Sequence, residues 1–293
     1  MKKWMMLLIL TLVFVTACGQ ERESAHHQKK ADNASEQKQE ISNETTKRHT
    51  TDMTEKAKSN THDDVAQLSE QMKAALVFSS QEASEFTLTK KEILTGIFEQ
   101  DYMNKPEKKQ LYKLYLIKAS GYTNGPDNMR FYSVYPSKKG FNSVIGISDH
   151  KAFVGGTQSP GTYQQLLETG KELDLNTLYA QHKQFKSLSE LAQKIEFAQK
   201  NPMENETTRK DFEAKENPAT MAHARSQVYE MIHKFEGEPI NTQDYVWDNV
   251  HWNQDLTAWT VNYRNKDMEI VGTYQKVKDQ PLIKLDANGN KVK

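Results

Sequence analysis

Between Gly19 and His62 the only large apolar side chains are Ile41 and Met53, and there is no aromatic residue. The rest is Glu, Lys, Gln, Ser, Thr, Asn and His, with both charge signs mixed. Ordering a residue costs roughly 1–2 kcal/mol of backbone entropy, and such a segment has almost no apolar surface whose burial would offset it. Residues 18–62 are therefore expected to form a disordered tether with an r.m.s. span on the order of 35–40 Å. A core can be built only from residue 63 onward, although the chain has 293 residues. His26, His27, His49 and His62 lie in or at the edge of this stretch, where no carboxylate spacing fixes a metal geometry, and they read as solvated.

Ahead of the tether, Met1-Lys2-Lys3 is a short positive segment and Trp4 to Val15 is apolar apart from Thr11. As a helix, Trp4 to Ala17 would measure roughly 21 Å, short of the ~30 Å hydrocarbon core of a bilayer. A removable secretory signal over residues 1–17 fits better than a permanent span. Val15-Thr16-Ala17-Cys18 resembles the lipobox of bacterial lipoproteins, in which aliphatic and small residues precede an obligatory Cys. Thr16 departs slightly from the commoner Ala or Ser. The resemblance implies that Cys18 carries a diacylglycerol, palmitate-type chains included, and becomes the new N-terminus. It also implies that the protein sits on the extracytoplasmic face of the cell membrane. Two acyl chains anchor stably where one holds only marginally, because each buried CH₂ contributes about 0.8 kcal/mol. The long tether, with Gly19 after the Cys, suits a Gram-positive surface. Ile9 to Val15 is similar to the apolar peptide pheromones that enterococci release from lipoprotein signal peptides, which implies a minor secondary role for the discarded segment.

Cys18 is the only cysteine, so no intramolecular disulfide and no multi-thiol metal or redox site can form. Acidic and basic residues balance at 39 each, leaving no global field to recruit nucleic acid.

From residue 63 the pattern becomes that of an α+β fold, with helices packed on antiparallel sheet meanders. Val65, Leu68, Met72 and Leu76 recur at helical spacing. Thr89-Lys90-Lys91-Glu92 is a capping-box pattern, and Ile93, Leu94, Ile97, Phe98 and Tyr102 follow as one predicted helix face. Three extended runs come next, Leu111 to Ala119, Met129 to Tyr135 and Ser143 to Val154. Tyr163, Leu166 and Leu167 restore the helical period, and Ser187-Leu188-Ser189-Glu190 reads as a further capping box. Residues 63–200 are expected to form one α+β domain. Residues 201–218, polar and bounded by two Asn-Pro dipeptides, are expected to form a linker. Residues 219–293 predict a second module. Its helix carries Met221, Val228, Ile232 and Phe235 on one face and stops at Gly237; strands at Leu256–Tyr263, Met268–Val277 and Leu282–Leu285 follow. Asn265-Lys266 would be the hairpin turn. In element order alone this resembles the small cystatin-like and PepSY-like modules of secreted bacterial proteins.

No phosphate-binding glycine loop or dinucleotide fingerprint is present, and no cofactor is implied. Ser148-Asp149-His150 has the residue types of a hydrolase triad, but contiguous residues do not readily form the required relay, so they read as strand-end or turn residues. Asp286, Asn288 and Asn290 open like a calcium loop, yet the sixth position is Lys291 rather than Gly, so a tight turn is expected. The residues that stand out are Tyr245, Trp247, Trp252, Trp259, Tyr263 and Tyr274. They read first as the core of a small sheet; because aromatic faces supply contact area at low entropic cost, the other reading is a stacking surface for a peptide or glycan. Two classes of function follow. The leading one is a non-enzymatic, membrane-anchored lipoprotein that binds a peptide, a glycan or another envelope protein. The alternative is an envelope hydrolase with dispersed catalytic residues; a solute-binding lipoprotein would need the strand-helix alternation of two lobes.

Overall fold

In the computed structural model, residues 65–102, 105–215, 218–253 and 255–293 are described. Cys18, the lipobox and the tether lie outside them.

Among the described residues the first complete helix, α1 (Glu70–Ser79), starts where the Ser69 hydroxyl accepts the Met72 amide at 3.2 Å. Residues Lys73 to Phe78 are all buried, so α1 is a central helix rather than an amphipathic surface one. Lys73 is accommodated by donating to the Ala66 carbonyl at 3.2 Å and to Asp149 at 3.4 Å. After a single turn, α2 (Ala83–Phe86), the Thr89–Glu92 capping box forms as the sequence predicts and opens α3 (Lys90–Thr95). The helix does not continue to Tyr102. Gly96 takes a left-handed conformation at φ +71°, which ends α3, and Ile97–Tyr102 becomes strand β1, paired antiparallel with β2 (Lys105–Gln110).

The main sheet has six strands in the order β7-β6-β5-β4-β3-β8: β3 is Leu114–Lys118, β4 Arg130–Tyr135, β5 Asn142–Ile147, β6 Lys151–Thr157, β7 Lys171–Asp174 and β8 Ile195–Ala198. Strands β3 to β7 pair antiparallel. Between β7 and β8, α5 (Leu175–His182) and α6 (Lys186–Gln193) carry the chain across to the far edge, where β8 joins β3 in parallel. The run expected as one strand over Ser143–Val154 is two strands. Ser148 folds it back, donating to the Lys151 carbonyl at 2.9 Å and accepting the Lys151 amide at 3.1 Å. Its hydroxyl is thereby used in the turn.

Alternation along the strands gives the sheet two apolar faces. Tyr132, Val134, Ile145, Ile147, Ala152 and Val154 pack against the helices in the larger core. On the opposite face Phe131, Val144 and Phe153 pack with Tyr163 and Leu166 of α4 (Tyr163–Leu167). The stretch expected as a linker carries α7 (Glu206–Lys215), whose one buried side chain, Phe212, meets the rings of Tyr112, Tyr115 and Tyr135 at 5.0, 5.9 and 5.7 Å.

The C-terminal helix α8 (Pro218–Glu236) ends at Gly237, φ +83°. A second sheet runs β10-β11-β12-β13, from β10 (His251–Trp252) through β11 (Ala258–Arg264) and β12 (Ile270–Val277) to β13 (Ile283–Asp286), with β9 (Val246–Trp247) pairing the end of β11 nearest Arg264. The β11–β12 connection is longer than a two-residue hairpin: Asn265 Oδ1 accepts the amides of Asp267 and Glu269, each at 3.0 Å, and Met268 sits at φ +70°. The expected turn after β13 does form, with Asp286 Oδ1 accepting the Asn288 and Asn290 amides at 2.9 and 2.8 Å.

Arg264, with no exposed surface, joins this sheet to α6. Its guanidinium donates to Asp248 at 2.7 and 2.8 Å, to Glu190 at 2.6 and 2.8 Å, and to the Met268 carbonyl at 3.0 Å. Ser187–Glu190 is therefore not a capping box. Glu190 is drawn to Arg264, and it is Glu269 from the other sheet that accepts the Lys186 and Ser187 amides, at 3.2 and 2.9 Å, together with the Ser187 hydroxyl. The fold is α+β with predominantly antiparallel sheets.

Candidate functional site

Four of the six aromatics singled out in the sequence converge. Trp247 on β9 is the register partner of Tyr263 on β11, and Tyr274 lies on β12. Trp247 stacks on Tyr263 at 5.3 Å and on Tyr274 at 5.8 Å, while Tyr245 meets Tyr263 edge-on at 5.1 Å. Gly272, directly across from Tyr263, lets this packing occur: the Tyr263 phenol occupies the space where a β-carbon would stand. The Trp247 indole donates to the Asn241 carbonyl at 2.8 Å.

The remaining pair is elsewhere. Trp252 and Trp259 are cross-strand partners on β10 and β11, with rings 6.4 Å apart. The structure thus divides the group. Trp247, Trp259 and Tyr274 are core residues of the second sheet, while Tyr245, Trp252 and Tyr263 are only half-buried.

Tyr245, Trp247, Tyr263 and Tyr274 wall a recess of about 180 Å³ whose polar side is Glu236, Lys284 and Asn241, with the exposed Glu238 at its edge. Glu236, at the end of α8, accepts the Tyr274 hydroxyl at 2.7 Å and the Lys284 and Lys293 ammonium groups at 3.0 Å each. Lys284 also lies 5.3 Å from the centre of the Tyr274 ring and 5.8 Å from that of Tyr263. Burial alone would raise the Glu236 carboxyl. The hydrogen bonds from Tyr274, Lys284 and Lys293 outweigh it and hold the group at about 2. Burial acts in the opposite direction on Lys284, and the bonds to Glu236 and Tyr274 again prevail, raising its pKa. Burial and the Glu236 carboxylate both push the Tyr274 phenol up. The polar side is thus a fixed ion cluster at neutral pH beside an aromatic wall, an arrangement suited to stacking and hydrogen bonding with a small polar group.

Glu236, Asn241 and Lys284 were not singled out from the sequence. The signal available for Glu236 was its place in the last turn before the Gly237 stop, where a carboxylate opposes the helix dipole and needs cations from elsewhere. Nothing local marks Lys284 or Asn241. Among the described residues no group of three or more His, Cys, Asp or Glu side chains is arranged to hold a metal ion, and no helix is long and apolar enough to cross a membrane. The chain matches no family model, no curated protein and no solved structure.

Proposed function

We propose that this chain is a lipid-anchored surface protein of the binding or adaptor type, held to the extracytoplasmic face of a Gram-positive membrane through diacylglycerol on Cys18. It takes its ligand, a side chain of a peptide or envelope protein or a single sugar unit of a glycan, in the recess beside Glu236. The observation that supports the binding reading is the accessible end of the aromatic ladder: half-buried Tyr245 and Tyr263 wall a recess with a fixed ion cluster on its other side.

Two measurements test the reading. Cys18→Ala should release the protein into the medium or leave an unprocessed precursor; unchanged membrane retention would defeat the anchoring. A photo-crosslinking amino acid in place of Ile240, which lines the recess, should give a discrete adduct on intact cells. The same group in place of Thr208 on α7 should not. Identical adduct patterns at both positions would rule out the recess.

A further inference from the structure

A second concavity lies on the other side of the Tyr245–Trp247 wall. It is a cleft of about 410 Å³ between the β1–β2 ribbon and helix α8. Ile97 and Glu99 on β1 and Lys108 on β2 share the ribbon face that lines it, with Glu99 and Lys108 directly opposite in the ladder. Arg225 and Tyr229, one helical turn apart on α8, form the facing wall. The Arg225 guanidinium donates to the Tyr229 hydroxyl at 2.6 Å and lies 5.1 Å from the centre of that ring. It is thus held partly buried, and among the described residues the Tyr229 hydroxyl is the one acceptor its donor fork uses.

The charges lining the cleft do not balance. Lys91, Lys108 and Arg225 face it, and among the described residues none of the three has a carboxylate partner. Of the two carboxylates, Glu92 is already engaged, accepting the Lys138 ammonium at 2.9 Å and the Thr89 amide at 2.9 Å as part of the α3 cap. Three cations therefore face Glu99 alone. A cationic ligand would add repulsion at Arg225, whereas a carboxylate would meet a planar guanidinium able to bind it through two parallel hydrogen bonds. Apart from Thr95 and Thr242, the rest of the lining is apolar or aromatic, with Ile97 and Val246 beside Tyr245 and Trp247. Apolar side chains alternating with carboxylates would use both parts of this surface. A phosphate polymer would use only the cations.

We propose that this cleft is a docking site for an extended acidic peptide segment of a partner protein, with one carboxylate on Arg225 and apolar side chains against Ile97 and Tyr245. The site is additional to the recess: Arg225 lines only the cleft and Ile240 only the recess, so the two proposals stand or fall separately. The test pans a random hexapeptide library against the full chain in detergent. Asp and Glu should be enriched among the retained peptides, and Arg225→Gln should lower their recovery about tenfold, the loss of one charge-assisted hydrogen bond. Lys108→Glu, on the exposed strand, should do the same without touching the helix, and the urea midpoint of each variant checks that it is folded. Retained peptides without acidic enrichment, or recovered equally by both variants, would overturn the proposal. Inorganic polyphosphate bound with the same Arg225 dependence, in the absence of acidic peptide selection, would also overturn it.

Discussion

Replacing Arg264 by Met would show how strongly the second sheet is tied to α6. The side chain is fully buried, its partner Asp248 is 1% exposed and Glu190 is 29% exposed. Removing the guanidinium strands the Asp248 carboxylate in the interior, where among the described residues the Asn262 side-chain amide, at 2.9 Å, is the one remaining side-chain donor. Breaking a buried ion pair from one side in this way costs about 3–5 kcal/mol. Glu190 can turn to water, so Glu190→Gln should cost less, about 1–2 kcal/mol. The decisive comparison is the double variant Asp248→Asn, Arg264→Met. With no orphaned charge left, it should be more stable than Arg264→Met alone, because much of the single-variant penalty belongs to the stranded carboxylate. Urea unfolding followed by tryptophan emission reads these variants and the Asp248→Asn single, since Trp247, next to Asp248, and Trp259, on the same strand as Arg264, both lie in the core of the second sheet. A loss below about 1 kcal/mol for Arg264→Met, or a double variant whose cost is the sum of the two singles, would refute the reasoning.

Two further outcomes are expected. Glu236 has a folded pKa of about 2 against an ordinary carboxylate value, so its contribution to stability is fully present above about pH 4.5 and is lost as pH falls towards 2; with partial solvent screening it amounts to at most about 2 kcal/mol. Acid unfolding of Glu236→Gln should lack that component, and an unchanged acid limb would contradict the ion cluster. Phe212→Ala should cost about 3 kcal/mol of docking at α7, seen as faster amide exchange across residues 206–215 while tryptophan emission stays constant; slow exchange in the variant would mean that α7 is held by more than this ring.

What was legible in the sequence is what short-range chemistry writes there. The Thr89–Glu92 box, the Gly237 stop, the alternation of Trp259 and Val261, and the turn at Asp286 are all decided within a few residues, and all form as expected. Failures occur where two local signals compete or where the partner is distant. Ile97, Phe98 and Tyr102 fit a helix face, but Gly96 between them and α3 adopts a left-handed turn, and the same residues serve as a strand. Residues 144–147 and 152–154 lack a polar alternation because both strands are interior to the sheet, so the two runs merge into one; the signal that separates them is the polar stretch Ser148-Asp149-His150-Lys151, whose first three residues already read as strand-end or turn residues. Residues 201–218 read as linker because α7 buries one side chain, too few for any periodicity to register.

The recess depends on the same long-range pairing, for a reason visible in the strand register. Trp247 sits opposite Tyr263, and the residue after each, Asp248 and Arg264, belongs to the buried ion cluster. Side chains of adjacent residues leave an extended chain on opposite sides. Val246, before Trp247, accordingly packs with the larger core, while Trp247 packs with the second sheet. The short strand β9 is thus fixed from both sides, by the Arg264 clamp and Val246 on one and by the Tyr263–Trp247–Tyr274 stack on the other. Two residues of ladder pairing could not hold an aromatic wall in register by themselves. Asp248 therefore acts as a positioning residue for a wall it does not line. Its pairing with Arg264 lets Trp247 stand as a fixed partition between the recess and the cleft rather than as a side chain on a free edge.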